Sequence, residues 1–182
     1  VLWDSRVGLT QSLVRCIEAA DEKPSVFISG SAIGYYGNTG DKILDEGAHA
    51  GKDFGAHLCD EWEKAALASS VRVCVLRTGL VLAPSGGFLK KMLPAFKLGL
   101  GGSMGSGTQW MSWIHIDDYV AVLIELLTNP NAQGAYNMTA PQPLTNQAFT
   151  EYLARALNRR VFFSTPAWVL QLLLGERANL VL

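Results

Sequence analysis

Two short apolar runs limit what this chain can fold into more than any other feature. The first, SVFIS (25–29), is continuous rather than alternating; the second, VRVCVLRTG (71–79), is again rich in β-branched residues. A strand of this kind is buried on both faces, the habit of a parallel sheet. Each run follows a stretch with helical spacing. Residues 4–20 place Val7, Leu13, Val14 and Ile17 near one face. The helix ends at DEKP, because proline cannot continue it. Residues 56–70 set Leu58, Trp62 and Ala66 on one stripe. Helix, strand, helix, strand implies parallel strands joined by right-handed crossovers, an α/β doubly wound plan.

The stretch from 34 to 53 is rich in glycine and scattered acids, so it reads as a long loop. Loops of that length inside a compact domain are functional or mobile. Beyond the second strand, FLKKMLPAFKLGL is a helix with a kink or break at Pro94. Residues 101–109 are an open linker and WMSWIHI (110–116) a strand. DDYVAVLIELLTN is an apolar helix capped by Asp117 or Asp118. GAYNMTA is a short strand, and Thr145 caps the helix that follows. RRVFFSTP is expected to be a strand and PAWVLQLLLG a helix with proline in its first turn.

Composition excludes several classes. Of 182 residues, 49% are hydrophobic and 17% charged, which suits a chain that buries a core rather than a disordered one. Net charge is −1 with no basic block, so neither nucleic acid nor an anionic membrane surface is expected as a partner. The apolar runs fall short of the roughly 20 residues of a membrane span. The N-terminus lacks the layout of a signal peptide. Cys16, Cys59 and Cys74 are odd in number and widely spaced, against a disulfide framework or a zinc site. These features suggest a cytoplasmic protein with buried or inert thiols. The abrupt start in a helix and the apolar end NLVL suggest a piece of a longer protein.

In a doubly wound fold, ligands sit beyond the carboxyl ends of the strands. VFISGSAIGYYG (26–37) brings Ser29, Gly30, Ser31, Tyr35 and Tyr36 to one such end, and Arg77, Thr78 and Gly79 stand at the next. Small hydroxyls and glycine there make a floor for a nicotinamide ring. Equally, those hydroxyls can satisfy backbone groups at strand ends. Arg77 inside an apolar strand needs a partner if buried, and is either structural or substrate-facing. Further along, His115, Trp110, Trp113, Lys90 and Lys91 are substrate candidates; core packing and a solvated helix face are the plainer explanations.

SGSAIGYYG resembles the SSxxxYG segment of the extended short-chain dehydrogenase/reductase family. WIHIDDYVAVL resembles its hVxDva segment, and GAYNMTAP its yNig strand. Together with SRVGLTQSLV, WEKAA, LRTGLVLAPSGGFLKKMLPAFKLGLGG and GERANLVL, they are similar to the NAD-dependent epimerase-like subgroup, whose substrate is not established. The resemblance runs essentially end to end. It implies a Rossmann-type fold whose first half, with its Gly-rich pyrophosphate turn, is not in this sequence; GLGGSMGSG (99–107) follows a helix and reads as a linker. It also implies that residues 1–82 complete the dinucleotide-binding domain. Residues 83–182 then form mainly a substrate-binding lobe, with 110–129 expected to return to the sheet.

The family works with a serine, a tyrosine and a lysine. The tyrosine is the acid/base, and its unperturbed phenol, at about pH 10, needs the lysine's help near neutrality. Ser31 matches the serine. Where Tyr-x-x-x-Lys should stand, this chain has Phe54 and Leu58. Tyr35 or Tyr36 is then the candidate proton donor, with His57 or Lys52 beside it. The resemblance implies NADP or NAD as cofactor, near Ser29, Gly30, His57, Arg77, Thr78, Gly79, Leu80 and Val81. A small polar substrate would meet Lys90, Trp113 and His115, and no metal is implied. The expected function is an NAD(P)-dependent oxidoreductase or nucleotide-sugar-epimerase-like protein. The alternative is a non-catalytic NAD(P)H-binding or interaction protein with a degenerate Tyr/Lys site. The oligomeric state is not readable.

Overall fold

The computed structural model describes residues 1–160. The strand and helix expected over 159–175 lie essentially outside that range. The chain divides into two compact units, one formed by Val1–Gly79 with Asp117–Met138, the other by Leu80–Ile116 with the chain from Thr139 onward.

In the first unit, a wide turn at Asp4–Gly8 leads into α1 (Leu9–Ala19). Val7 and Val14 face inward as expected. Leu13 does not; it is exposed, and Thr10 takes the inward place. The reason is a hydrogen bond from the Trp62 indole to the Thr10 hydroxyl (2.9 Å), which rewards a polar group there. The sheet runs β1 (Val26–Ala32), β2 (Arg72–Thr78), β6 (Gly134–Met138), all parallel. Its register sets Ser31 beside Arg77 and Arg77 beside Asn137.

The middle strand β2 is buried from Val73 to Arg77. Val73 and Val75 pack with Ala66 of α2 (Phe54–Leu67), and Cys74 and Leu76 with Leu126 of α4 (Ile116–Thr128). Helices on both faces explain why the run lacks alternation. Asp53 caps α2, accepting the Ala56 N–H at 2.9 Å. Arg72 donates to the carbonyls of Leu126 (2.9 Å) and Ala132 (2.7 Å), holding the far end of α4. Asp117 and Asp118 lie in the first turn of α4, which starts at Ile116, rather than before it. Carboxylates in a first turn complement the helix dipole, which explains the same residues.

In the second unit, β3 (Leu80–Leu82) pairs in parallel with β5 (Trp113–His115), and β4 (Trp110–Met111) antiparallel with β7 (Leu144–Thr145). The single strand expected over 110–116 is thus two, broken at Ser112, whose carbonyl accepts the Leu80 N–H at 2.7 Å. α3 (Gly87–Lys97) continues through Pro94. α5 (Asn146–Ala156) begins at the expected cap, with the Thr145 hydroxyl accepting from Ala148 N–H at 3.2 Å. Asn146 is fully buried; its amide accepts the Met104 N–H at 2.7 Å and donates to Met111 sulfur at 3.2 Å.

No described helix is long and apolar enough to cross a membrane. All three cysteines are free: Cys59 and Cys74 are buried, as expected, and Cys16 is exposed. Burial pushes both inner thiols above the usual thiol range, so neither is a ready nucleophile.

Candidate functional site

A polar cluster closes the carboxyl end of the three-stranded sheet. Its centre is Arg77, 4% exposed. A buried guanidinium is tolerable only with a partner of opposite charge and filled donors. Glu63, on the sheetward side of α2 and 5% exposed, supplies both. Arg77 Nε donates to Glu63 Oε1 at 2.9 Å and Nη2 to Oε2 at 2.8 Å, the planar two-point fit for which arginine is suited. Burial pulls the Arg77 pKa down. The Glu63 and Tyr36 hydrogen bonds and the neighbouring carboxylate outweigh it and hold the guanidinium above its usual value.

Three further chain segments meet this pair. The Ser31 hydroxyl donates to Glu63 Oε1 at 2.6 Å. Arg77 Nη1 donates to the Tyr36 hydroxyl at 2.9 Å and to the Glu46 carbonyl at 3.0 Å. Tyr36 in turn donates to Asn137 Oδ1 at 2.6 Å. The Tyr35 ring lies under the guanidinium, 3.6 Å from its carbon to the ring centroid, a cation–π contact, and meets Tyr36 edge-on. The tyrosines reach Arg77 because β1 runs directly into a tight helical turn, Ile33–Tyr36, closed at Gly37, whose φ of +65° suits glycine.

The structure therefore brings together Ser31, Tyr35, Tyr36 and Arg77 of the expected set. Ser29 is buried and donates to the carbonyl of Gly30 (3.2 Å). The Thr78 hydroxyl lies 3.2 Å from the Leu76 carbonyl and 3.3 Å from the Tyr119 hydroxyl. The N–H of Gly79 bonds the Met138 carbonyl at 3.2 Å. These are the backbone-satisfying roles open to such residues at strand ends. Gly30 backs onto the Trp62 ring, where a Cβ would come within 3.2 Å.

His57 turns elsewhere. It is exposed on α2, its ring 5.6 Å from that of Trp3. Asp60 and Glu61 lie within 4.8 Å of it, but Lys64 already pairs with both carboxylates at 2.7 and 2.8 Å. Leu80 and Val81 belong to the second unit as β3, beside Trp113 and Ile114. There too are Lys90, exposed on α3, and His115, exposed at the end of β5 rather than buried in a core. Trp113 is partly buried and donates its indole N–H to the Gln142 carbonyl at 3.2 Å, while Trp110 is 49% exposed.

Glu63, Glu46 and Asn137 carry the cluster and were not singled out in the sequence. Glu63 left one signal, an acid one residue after Trp62 on the helix's inward stripe. Glu46 left none.

Where the family resemblance calls for tyrosine and lysine, Phe54 is 64% exposed and Leu58 is 7% exposed in a cluster with Val7, Ala65 and Trp62. Neither position offers a phenol or an ammonium. The start of α2 therefore lacks the tyrosine and lysine that the resemblance calls for.

A parallel sheet covered on both faces, with its polar cluster at the carboxyl end, is a Rossmann-like architecture. Residues 1–139 match the NAD dependent epimerase/dehydratase family, and the chain belongs to it. It is 42% identical, over 98% of its length, to the epimerase family protein SDR39U1 homolog, chloroplastic, of Arabidopsis thaliana, of which it covers 52%. It superposes on the crystal structure of human epimerase family protein SDR39U1 (isoform 2) with NADPH at a TM-score of 0.93 and 36% identity, covering 98% of this chain and 62% of that one. The nucleoside-diphosphate sugar epimerase from Corynebacterium glutamicum aligns at a TM-score of 0.75 and 36% identity, covering 94% and 38%. The chain thus spans between about half and two thirds of the length of the two SDR39U1 proteins.

Proposed function

We propose that this chain is the sheet-end and substrate-lobe part of an NADP(H)- or NAD(H)-dependent oxidoreductase or epimerase-like protein acting on a small polar substrate. The observation that carries this reading is the Ser31–Glu63–Arg77–Tyr36–Asn137 cluster at the carboxyl ends of three parallel strands, where this architecture takes its ligands. The NADPH present in the human relative's crystal favours NADP(H). A nicotinamide cofactor would supply hydride exchange with a carbon bearing oxygen. This chain would supply the floor of the ring from Ser29 to Ser31 and from Thr78 to Gly79. Tyr36 or Tyr35 would hold or pass the proton of the reacting hydroxyl, with Arg77 beside both rings. Lys90, Trp113 and His115 would meet the substrate. Free thiols suit a reducing compartment such as the cytoplasm.

Phe54 and Leu58 favour a second reading, a nicotinamide nucleotide binder without turnover. One experiment separates them. The complete protein is titrated with NADPH, then assayed for NADPH oxidation against carbonyl compounds and sugars. Binding with turnover that falls in Tyr36→Phe and Ser31→Ala supports the enzyme. Binding without turnover supports the binder, and no binding overturns both.

A further inference from the structure

Three hydroxyls meet at the polar cluster, and the fate of their hydrogens separates them. A hydroxyl donates once. Ser31 gives its hydrogen to Glu63 Oε1 at 2.6 Å. The Glu63 carboxylate, paired at both oxygens with Arg77, can only accept. Tyr36 gives its hydrogen to Asn137 Oδ1 at 2.6 Å and accepts from Arg77 Nη1 at 2.9 Å. Both residues are buried. Neither has a hydrogen to offer a ligand without breaking a bond inside the protein.

Tyr35 differs on both counts. Its hydroxyl makes no hydrogen bond to any described residue, yet it is not among the side-chain oxygens shut off from water, so it reaches the surface. Its ring is half-buried against the Arg77 guanidinium, with Tyr36 edge-on at 5.3 Å between centroids. Glu63 and Tyr36 fix that guanidinium in turn. The negative charge a phenol takes on in giving up its proton then develops on a ring that faces a fixed cation.

We propose that, in the oxidoreductase read above, Tyr35 is the residue that transfers the proton, while Ser31 and Tyr36 are committed to the frame that holds Arg77 against its ring. In the reducing direction Tyr35 gives its proton to the substrate oxygen as the attached carbon takes a hydride from the reduced nicotinamide. The π pair of the C=O bond becomes the new O–H bond. The Tyr35 O–H bond breaks with its pair left on the phenolate, and water returns the proton.

The test uses the complete protein. Without nucleotide, N-acetylimidazole acetylates accessible tyrosine hydroxyls, and fragment-ion mass spectrometry tells Tyr35 from Tyr36, with exposed Tyr152 as control. Tyr35 is expected to react about tenfold faster than Tyr36, whose hydroxyl is held by two hydrogen bonds. Tyr36 reacting as fast or faster would overturn the assignment. With NADPH and a turned-over substrate, Tyr35→Phe is expected to lose about a hundredfold or more in kcat. Its NADPH affinity and Tm should stay unchanged, because no protein hydrogen bond is lost. Tyr36→Phe loses two, so it is expected to melt lower and to lose only about tenfold in kcat. Turnover that falls as far in Tyr36→Phe as in Tyr35→Phe, or that Tyr35→Phe keeps, overturns Tyr35 alone. A parent protein that turns nothing over overturns the oxidoreductase reading and this assignment with it.

Discussion

Arg77 and Glu63 make a buried pair whose members depend on each other. Attraction between such charges does little more than repay their desolvation, so removing one is worse than removing both. Glu63→Gln is expected to destabilise the protein by about 3 kcal/mol in urea unfolding, with Glu63→Gln/Arg77→Met recovering part of the loss. The Ser31 hydroxyl gives the pair a third contact. Leu58 poses the opposite problem. A lysine there would put an ammonium among Val7, Ala65 and Trp62, so Leu58→Lys is expected to lower Tm by several degrees rather than restore an acid/base pair. Thermal unfolding monitored by circular dichroism checks this.

Glu18 makes a pH-dependent contact at the surface. Its carboxylate takes Lys23, the backbone and hydroxyl of Ser70, and Ser69, which together lower its pKa from 4.5 to about 2, against a small opposing effect of burial. The folded value lies below the unfolded one. Its contribution to stability is therefore present above pH 4.5 and is lost as pH falls through about 2. Glu18→Gln is expected to melt below the parent at pH 7. The gap in Tm should close between pH 4.5 and about 2, and a gap unchanged with pH would refute the assignment.

At the scale of elements, the caps and turns are tied to named residues. Asp53→Ala removes the only side-chain cap of α2 and is expected to cost about 1 kcal/mol by chemical denaturation. Gly51→Ala drives a Cβ into the Tyr36 carbonyl and the Gly37 nitrogen, and should cost at least as much. Elements with local causes were legible in the sequence. The apolar runs of β1 and β2 announced two-sided burial, and Thr145 announced α5. Elements with distant causes were not. Thr10 displaces Leu13 because Trp62, far along the chain, offers an indole N–H. The strand breaks at Ser112 because the residues before it pair with β7 and those after it with β3. The candidate site divides the same way. Small hydroxyls after an apolar run marked Ser31 and Tyr36. Glu63 and Glu46 reach Arg77 from fourteen and thirty-one residues away, and spacing alone does not reveal such pairs.

For the molecule as a whole, the sheet is assembled from two separated stretches of chain. β1 and β2 are near neighbours in sequence, while β6 comes only after the chain has left at Gly79 and returned at Asp117. Tyr36 therefore finds its acceptor, Asn137, a hundred and one residues downstream. Such distant closure is slow compared with local pairing. During synthesis, Arg77 can meet Glu63 and Tyr36 as soon as β2 emerges, but Asn137 joins them only when β6 follows. The polar cluster is thus complete only with β6, and a nascent chain holds its charged pair well before Tyr36 has its acceptor.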